Sequence, residues 1–595
     1  MLKRTHRCGE LRASDAGKEV VLSGWVNAYR HFGEGLVFLD VRDREGVTQL
    51  VLESDSAPAE VIEAARKARN EDVISAKGVV RVRAGTPNKK IATGEVEVVV
   101  SSFELLSKTD KPPFLPEDPE GLPAEEVRLK HRYVDLRRVE MQQILRTRHR
   151  VAKCARDYFD ANGFLEIETP ILCRSTPEGA RDFLVPSRLQ GGMWYALPQS
   201  PQLFKQILMI SGCDRYLQIC RCFRDEDPRA DRQAEFTQID LEMSFVERED
   251  VMQTMEGFAR VLWKEIKGVD IGAFPRISYQ EAMDRYGIDR PDTRFGLELV
   301  DVSDLAKGTE FKVFHDALAK RRGVVKAIRV PGAGEKMTRK VTDAYGEFVK
   351  GFGAGGLPFA KVTAAGFEGG ATKFLEPIRA ALVERLGLEV GDVVLFGADS
   401  YGVCTKALGE LRLKVARDLG LIDQNKLNFL WVVDFPMFEF DEASGRYYAL
   451  HHPFTAPRPD QIERFMNAKS EGRDEVEAIV SAGYDMVCNG SEVGGGSIRI
   501  HRQDVQSKVF DLLGLTREEA QVKFSFLLDA LRFGAPPHGG IAFGLDRLVM
   551  HLCGTDNIRD VIAFPKTQNG ADLMSQAPNV VDAAQLQELH VRSTL

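Results

Sequence analysis

The sequence predicts a multidomain α+β protein that begins with a small β-barrel. Three observations carry this expectation. The chain of 595 residues exceeds what one hydrophobic core usually holds. Five short runs of alternating apolar and polar residues fill its N-terminal part. A proline-rich stretch and then glycine-rich stretches divide the remainder into segments with different signals.

The runs "EVVLSGWVNAY", "GLVFLDVRD", "VTQLVLE", "DVISAKGVVRVRAG" and "GEVEVVVSSFELL" read as strands, with "PAEVIEAARKARN" as a helix between the third and fourth. Five strands with one helix in that place is the pattern of an OB-fold barrel, predicted over residues 1–107. The segment "KTDKPPFLPEDPEGLPAEE" packs five prolines into nineteen residues and opens a hinge spanning 108–134. A helical region, "EEVRLKHRYVDLRRVEMQQILRTRHRVAKCARDYFDANG", then leads into strand-like pieces; 135–288 form the first part of a second domain. The stretches "RVPGAGEK", "KGFGAGGLPFAK" and "GFEGGATKF" carry strand and helix signals of their own and mark an inserted α+β domain over 289–424. The interrupted pattern resumes at "NFLWVVDFPMF", so 425–562 form the second part, followed by a C-terminal extension, 563–595.

Apolar residues make up 44% and charged residues 28%, as in ordinary globular proteins. A net charge of −8 means that a polyanionic partner must be met by a local basic patch. Nine cysteines show no zinc-type C-x-x-C pairs, and Cys220 and Cys222 read as buried thiols of a reducing cytoplasm. No stretch approaches the ~18 apolar residues that span a bilayer, so a cytoplasmic protein without membrane contact is expected. "GFGAGG" (351–356) matches G-x-G-x-x-G but lacks the strand before and the helix after that a dinucleotide site needs. The pair His451 and His452 lacks H-E-x-x-H context, and on a strand adjacent side chains would point oppositely, which argues against zinc.

Four islands carry chemistry. "RCFRDEDPRADRQAEF" (221–236) has nine charged residues in sixteen and follows an apolar strand; it predicts a hairpin with Arg224 on the strand and Arg229 and Arg232 at the tip. In "SEVGGGSIRIH" (491–501) three glycines are expected to bend the chain before a strand bearing Arg499. Glu492 there, and Asp485 seven residues earlier in "YDMV", are candidate ligands for a hard cation such as Mg²⁺. "GGIAFGLDRLVMHL" (539–552) places Arg547 at the mouth of an apolar helix, and "STPEGARDF" with "QSPQLFKQ" gives a polar loop and a second cation. Each alone has an ordinary structural account in a solvated hairpin, a turn or a helix-end ion pair.

Together, "FRDED" with Phe236, "GLDR" and the proline of "GFLEIETPIL" (Pro170) resemble the second, third and first signature motifs of class II aminoacyl-tRNA synthetases. "STPEGARDF", "QSPQLFKQ", "HHPFT" and "NGSEVGGGSIRIH" resemble the aspartate branch of that class, and the insertion with "FGADS" resembles its bacterial type, with a GAD-like inserted domain and an antiparallel-sheet catalytic domain. The resemblance covers essentially the whole chain. It implies activation of L-aspartate by ATP with Mg²⁺ and transfer to the 3′ end of tRNA(Asp), in some members of the family also tRNA(Asn). By this resemblance Arg224 is the catalytic residue, bridging the substrate carboxylate and α-phosphate where negative charge accumulates. Glu178, Ser200, Gln202, Lys205, Arg224, Asp240, His451 and Arg499 would bind L-aspartate. Arg224, Asp225, Glu226, Gln233, Phe236, Glu492, Gly544, Leu545, Asp546 and Arg547 would bind ATP, and Asp485 and Glu492 the metal. Arg229 and Arg232 would face ATP phosphates or the tRNA acceptor end. Arg30, Phe38, Gln49 and Glu95 would contact the anticodon, with Phe38 as a stacking aromatic. A homodimer is implied through the Pro170 motif. Around "YRHFGEG" the sequence departs from the family: one residue is added, and Phe32 stands where Leu or His is usual, so the choice between one and two tRNAs stays open. Asparaginyl or lysyl specificity is disfavoured by the two cations in "GSIR" and "QLFK". A non-catalytic tRNA-binding paralogue would have lost Arg224, Glu492 or Arg547, all present here.

Overall fold

A computed structural model of the chain describes residues 2–33, 35–118, 120–176 and 179–594; Glu178, expected at the substrate, lies outside them. The chain forms two compact units, one of residues 1–150, 226–234 and 549–595, the other of 151–225 and 235–548.

In the first unit, β1 (Glu19–Phe32), β2 (Leu36–Asp43), β3 (Gly46–Glu53), β4 (Val73–Val82) and β5 (Val96–Ser107) close into a barrel in the order β1-β2-β3-β5-β4. Alternation decides the faces: Val37, Leu39 and Val41 point into the core while Phe38 and Asp40 point out. The helix α1 (Ala59–Arg66) adds Ile62 and Ala65 to the same core. β1 runs past Tyr29, where its apolar alternation fades, because Arg30, His31 and Phe32 still pair with Phe38, Val37 and Leu36. Gly33, at φ +62°, begins the turn that follows. The helical region after the hinge is three helices, Glu125–Lys130, Arg132–Asp135 and Val139–Ala161. Arg132 is buried and donates to the carbonyls of Arg559, Ile562 and Ala563, all at 2.9 Å, which fixes the C-terminal part of this unit.

The second unit contains β6 (Leu165–Glu166), β7 (Arg215–Phe223), β8 (Glu235–Ser244) and β9 (Arg276–Ser278). The insertion contributes β10 (Leu299–Asp301), β11 (Gly323–Val330), β12 (Phe359–Thr363), β13 (Gly366–Glu368) and β14 (Val393–Ser400). The chain then returns with β15 (Phe429–Val433), β16 (Gly483–Cys488), β17 (Ser491–Ile498) and β18 (His538–Gly544). An eight-stranded sheet runs β9-β15-β16-β17-β18-β8-β7-β6, antiparallel except at its two edge pairs. The insertion forms its own antiparallel sheet, β10-β11-β14-β12-β13, buried on both faces. Buried Arg412, on the helix Tyr401–Asp418, donates to the carbonyls of Asp292, Phe295, Gly296 and Leu297 and so anchors the entry segment.

Two expectations are corrected. Arg224 lies one residue beyond β7, not on it. Gly494, Gly495 and Gly496 are in the middle of β17 rather than in a bend before it. They are there for close approach: a Cβ on Gly494 would meet the Phe543 ring at 2.6 Å, and one on Gly496 the carbonyl oxygen of Gly540 at 2.1 Å.

Candidate active site

The face of the large sheet that carries Asp240 on β8 is met by the helix Gln202–Ile210 and by the residue just past β17. Lys205 Nζ lies 2.7 Å from Asp240 Oδ1 and 3.3 Å from Glu242 Oε2. Arg499 clamps Glu242 through Nε at 2.9 Å and Nη2 at 3.1 Å. All four side chains are at most 2% exposed, so two cations and two carboxylates balance away from water. Burial pushes the Asp240 carboxyl up, only partly offset by Lys205. Burial pushes Glu242 the same way, but the Arg499 and then Lys205 charges outweigh it and hold this carboxyl below its usual range. Asp240 Oδ2 and Gln202 Nε2 are buried with no hydrogen-bond partner, an acceptor and a donor left for a ligand. Ser200 Oγ accepts from Gln202 N–H at 3.3 Å and lines a cavity of about 330 Å³ together with Gln199, Asp182 and Phe204.

Sequence reasoning missed Glu242 and His452. Glu242 was legible as the i+2 neighbour of Asp240, on the same strand face. The histidine pair was judged as if on a strand, whereas neither residue is in one. His452 Nε2 lies 2.8 Å from Arg499 Nη1, and its Nδ1 accepts from Phe454 N–H at 3.1 Å, so both ring nitrogens face donors. Burial, then the Arg499 charge, hold His452 far below its usual range. The His451 ring lies edge-on to Phe435, with Nε2 3.6 Å from Asp485 Oδ1. Burial alone would lower His451, but the neighbouring Asp485 carboxylate raises it.

Asp485 on β16 pairs across the sheet with Gly495, and a Cβ there would meet Asp485 Oδ1 at 2.8 Å and Glu492 Oε1 at 3.0 Å. Two carboxylate oxygens thus converge over a glycine. Asp485 Oδ1 has no hydrogen-bond partner, and burial followed by the Asp485 charge raises Glu492. Among the described residues no third His, Cys, Asp or Glu joins them. That donor set fits a hard divalent cation whose remaining ligands are phosphate and water. Arg547, on the helix that follows β18, donates through Nη1 to the Glu492 carbonyl at 3.0 Å. Gly544 ends β18, Leu545 is core, and buried Asp546 accepts from Thr237 N–H at 2.9 Å, a structural bond joining helix to sheet. The Arg224 guanidinium stacks on the Phe236 ring, 5.1 Å from its centroid. Asp225 is engaged by Arg181 at 3.0 Å.

In the first unit, Glu226 pairs with Arg232 at 3.3 Å, and Gln233 exchanges two hydrogen bonds with the Lys566 backbone. On the outer face of the barrel, Arg30 grips both Asp40 oxygens at 3.1 Å, and Phe38 is half-exposed there rather than in the core. Phe32 is 62% exposed and packs edge-on against Phe38, their centroids 5.9 Å apart. Gln49 is buried opposite Asp40 and accepts from Arg83; Glu95 is exposed, its carbonyl accepting from Arg83 N–H. Asp40 and Arg83 extend this outward polar row and had not been singled out from the sequence.

Residues 124–568 match the family described as tRNA synthetases class II (D, K and N), and residues 20–106 match the OB-fold nucleic acid binding domain. An aspartate--tRNA ligase of Macrococcus caseolyticus is 52% identical, covering 100% of this chain and 99% of its own. An aspartate--tRNA(Asp/Asn) ligase of Nitratidesulfovibrio vulgaris is 54% identical, covering 99% of this chain and 95% of its own. Among solved structures, an aspartyl tRNA synthetase from Entamoeba histolytica superposes with a TM-score of 0.58 at 20% identity, covering 95% of this chain and 91% of that one. An asparaginyl-tRNA synthetase from Pyrococcus horikoshii gives the same score and identity over 95% and 99%. These structures share the fold; the full-length relatives go further, and the chain belongs to the class II tRNA synthetases of the D, K and N group, within its aspartate--tRNA ligases.

Proposed function

We propose that the buried Lys205–Asp240–Glu242–Arg499 cluster is the L-aspartate pocket, with His451, Gln202 and Ser200 completing it. The observation that carries the reading is the pair of unpartnered atoms beside two fixed cations: Asp240 Oδ2 suits an α-ammonium, and Gln202 Nε2 suits an α-carboxylate. Arg499, whose planar donor fork Glu242 orients, meets the side-chain carboxylate together with Lys205. Arg224, stacked on Phe236, takes the α-phosphate, with adenine against the same ring; Arg547 takes the terminal phosphates. Asp225, Gly544, Leu545 and Asp546 frame the nucleotide largely through main chain, since the side chains of Asp225 and Asp546 already have protein partners and Leu545 lies in the core. Asp485 and Glu492 hold Mg²⁺, which when bound neutralises phosphate charge. No general base is required, because the attacking carboxylate is ionised near neutral pH.

Arg30, Phe38, Gln49 and Glu95 form the anticodon face of the barrel, with Phe32 at its edge. The tRNA(Asp) reading is favoured by the 52% identical relative named aspartate--tRNA ligase, and charging of tRNA(Asn) as well by the 54% identical relative named for both. Exposed Leu165, Ile171 and Leu172 beside Pro170 form an apolar surface suited to a second copy of the chain. ATP–pyrophosphate exchange with aspartate, asparagine and lysine tests the pocket: exchange should need aspartate and vanish in Arg224→Ala and Arg499→Ala. Wild-type exchange in either folded variant overturns the assignment. Charging of purified tRNA(Asn) separates the two tRNA readings, and mass by light scattering tests the dimer.

A further inference from the structure

Gln199 belongs to no part of the ligand set above, yet it is only 4% exposed and its amide is fully engaged. Its Oε1 accepts from Ala180 N–H at 3.0 Å, and its Nε2 donates to the Ala180 carbonyl at 2.8 Å and to Asp182 Oδ1. Asp182 is held from its other side by the Ser175 hydroxyl at 2.7 Å. A primary amide offers a donor and an acceptor side by side, so Gln199 pairs with the Ala180 backbone as a neighbouring strand would. The next residue, Arg181, makes the same kind of contact with the reacting region: its carbonyl accepts from Asp225 N–H at 2.9 Å. Its guanidinium also meets the Asp225 carboxylate at 3.0 Å. On the other side of Gln199, the Pro198 carbonyl accepts from Phe223 N–H at 2.9 Å.

Three short segments, 180–182, 197–199 and 223–225, are thereby tied to one another, and Arg224 sits between the two residues that are bonded. The Arg181–Asp225 ion pair is 79% and 43% exposed, and pairs of that kind hold little by themselves. The buried amide is the part that is shielded from water and cannot be replaced by solvent.

We propose that Gln199 is a positioning residue for Arg224: it fixes the 180–182 segment, which with Pro198 fixes the main chain on both sides of the arginine. The proposal rests on the role given above to Arg224. Because Arg224 meets charge that builds up in the transition state, loss of its alignment is read in kcat. Gln199→Ala is expected to lower kcat for aspartate-dependent ATP–pyrophosphate exchange on the order of tenfold to a hundredfold, with little change in either KM. Gln199→Glu keeps the acceptor for Ala180 but loses the donor and faces Asp182 with a like charge, so it too should be slow. Gln199→Glu combined with Asp182→Asn restores the bond between the two side chains, with the amide on the opposite partner, and should recover part of kcat, since the Ala180 carbonyl still lacks its donor. That recovery is a readout that needs no comparison with Gln199→Ala, should the latter fold poorly. A double variant no faster than Gln199→Glu overturns the proposal, as does a Gln199→Ala enzyme with wild-type kcat. Arg224→Ala run in parallel separates the two claims. Exchange surviving in Arg224→Ala removes the role of the arginine, whereas a dead Arg224→Ala beside wild-type Gln199 variants removes only the anchor.

Discussion

Replacing Gly495 by alanine tests the metal assignment without touching a proposed ligand. The new Cβ would lie 2.8 Å from Asp485 Oδ1 and 3.0 Å from Glu492 Oε1, and both obstacles are the ends of side chains that can turn aside. Moving each off its rotamer costs ~0.5–1.5 kcal/mol, against which alanine recovers ~0.5–1 kcal/mol of the glycine entropy lost on folding. Stability should therefore fall by no more than ~2.5 kcal/mol. The oxygens must retreat by about half an ångström to reach ordinary contact, more than the ~0.2 Å within which metal–oxygen distances are held. The Mg²⁺ concentration giving half-maximal ATP–pyrophosphate exchange should rise on the order of ten- to hundredfold. Gly496→Ala is the contrasting case, since its Cβ meets the Gly540 carbonyl at 2.1 Å inside the sheet and cannot be relieved by a rotamer. It should lose folding stability, by ~1–3 kcal/mol or more, as overpacked cores do. Thermal melts and Mg²⁺ titrations of both variants decide the matter. An unchanged Mg²⁺ requirement in Gly495→Ala, with the fold intact, refutes the convergence of Asp485 and Glu492 on a cation.

Glu242→Gln removes the shared partner of two buried cations and should destabilise the protein by ~3–5 kcal/mol, measured by denaturant unfolding, while abolishing aspartate-dependent exchange. Because the Glu242 carboxyl lies below its ordinary value of 4.5 in the folded state, its contribution is complete above that pH and fades as pH falls through the lower folded value. The variant should accordingly show a flatter acid limb in a plot of Tm against pH, and an unaltered limb counts against the Arg499 clamp. Phe38→Ala removes a stacking face and should weaken tRNA binding by ~1–3 kcal/mol, seen as a raised KM for tRNA in the charging reaction. Wild-type KM for tRNA would return Phe38 to a merely structural role on the barrel.

The barrel was legible because its strands are half-buried, and half-burial writes itself into sequence as period-two alternation. The place of α1 between the third and fourth strands completed the pattern. The large sheet was less legible, since β16 and β17 are covered on both faces and show no alternation. That is why the glycines of β17 read as a bend: their purpose lies in the atoms opposite, Phe543, Asp485 and Gly540, which no local pattern reveals. Lys205, Asp240 and Arg499 were reached through motif resemblance, and they do come together. Glu242 was not, although it stands two residues from Asp240 on the same strand face, because its role is set by Arg499, 257 residues away. Spacing to Glu492 points to His451 rather than His452, yet outside a strand two adjacent histidines can both turn toward one cleft.

The charge balance of the pocket bears on how it separates aspartate from asparagine. Two unpaired buried cations would be costly in the empty enzyme, and Asp240 with Glu242 remove that cost while fixing where the donors of Lys205 and Arg499 point. A carboxylate offers acceptors at both of its oxygens. A carboxamide of nearly the same size offers one acceptor and turns an N–H₂ group toward a guanidinium or an ammonium, so donor faces donor. Size alone rejects a close analogue by only about a hundredfold, whereas a site whose buried polar groups are left unmatched rejects it by ~10⁴–10⁵. The ratio of kcat/KM for exchange with aspartate over asparagine should therefore exceed ~10⁴. A ratio near a hundred would mean that shape, not the oriented cations, makes the choice, and the pocket assigned to Lys205 and Arg499 would have to be abandoned.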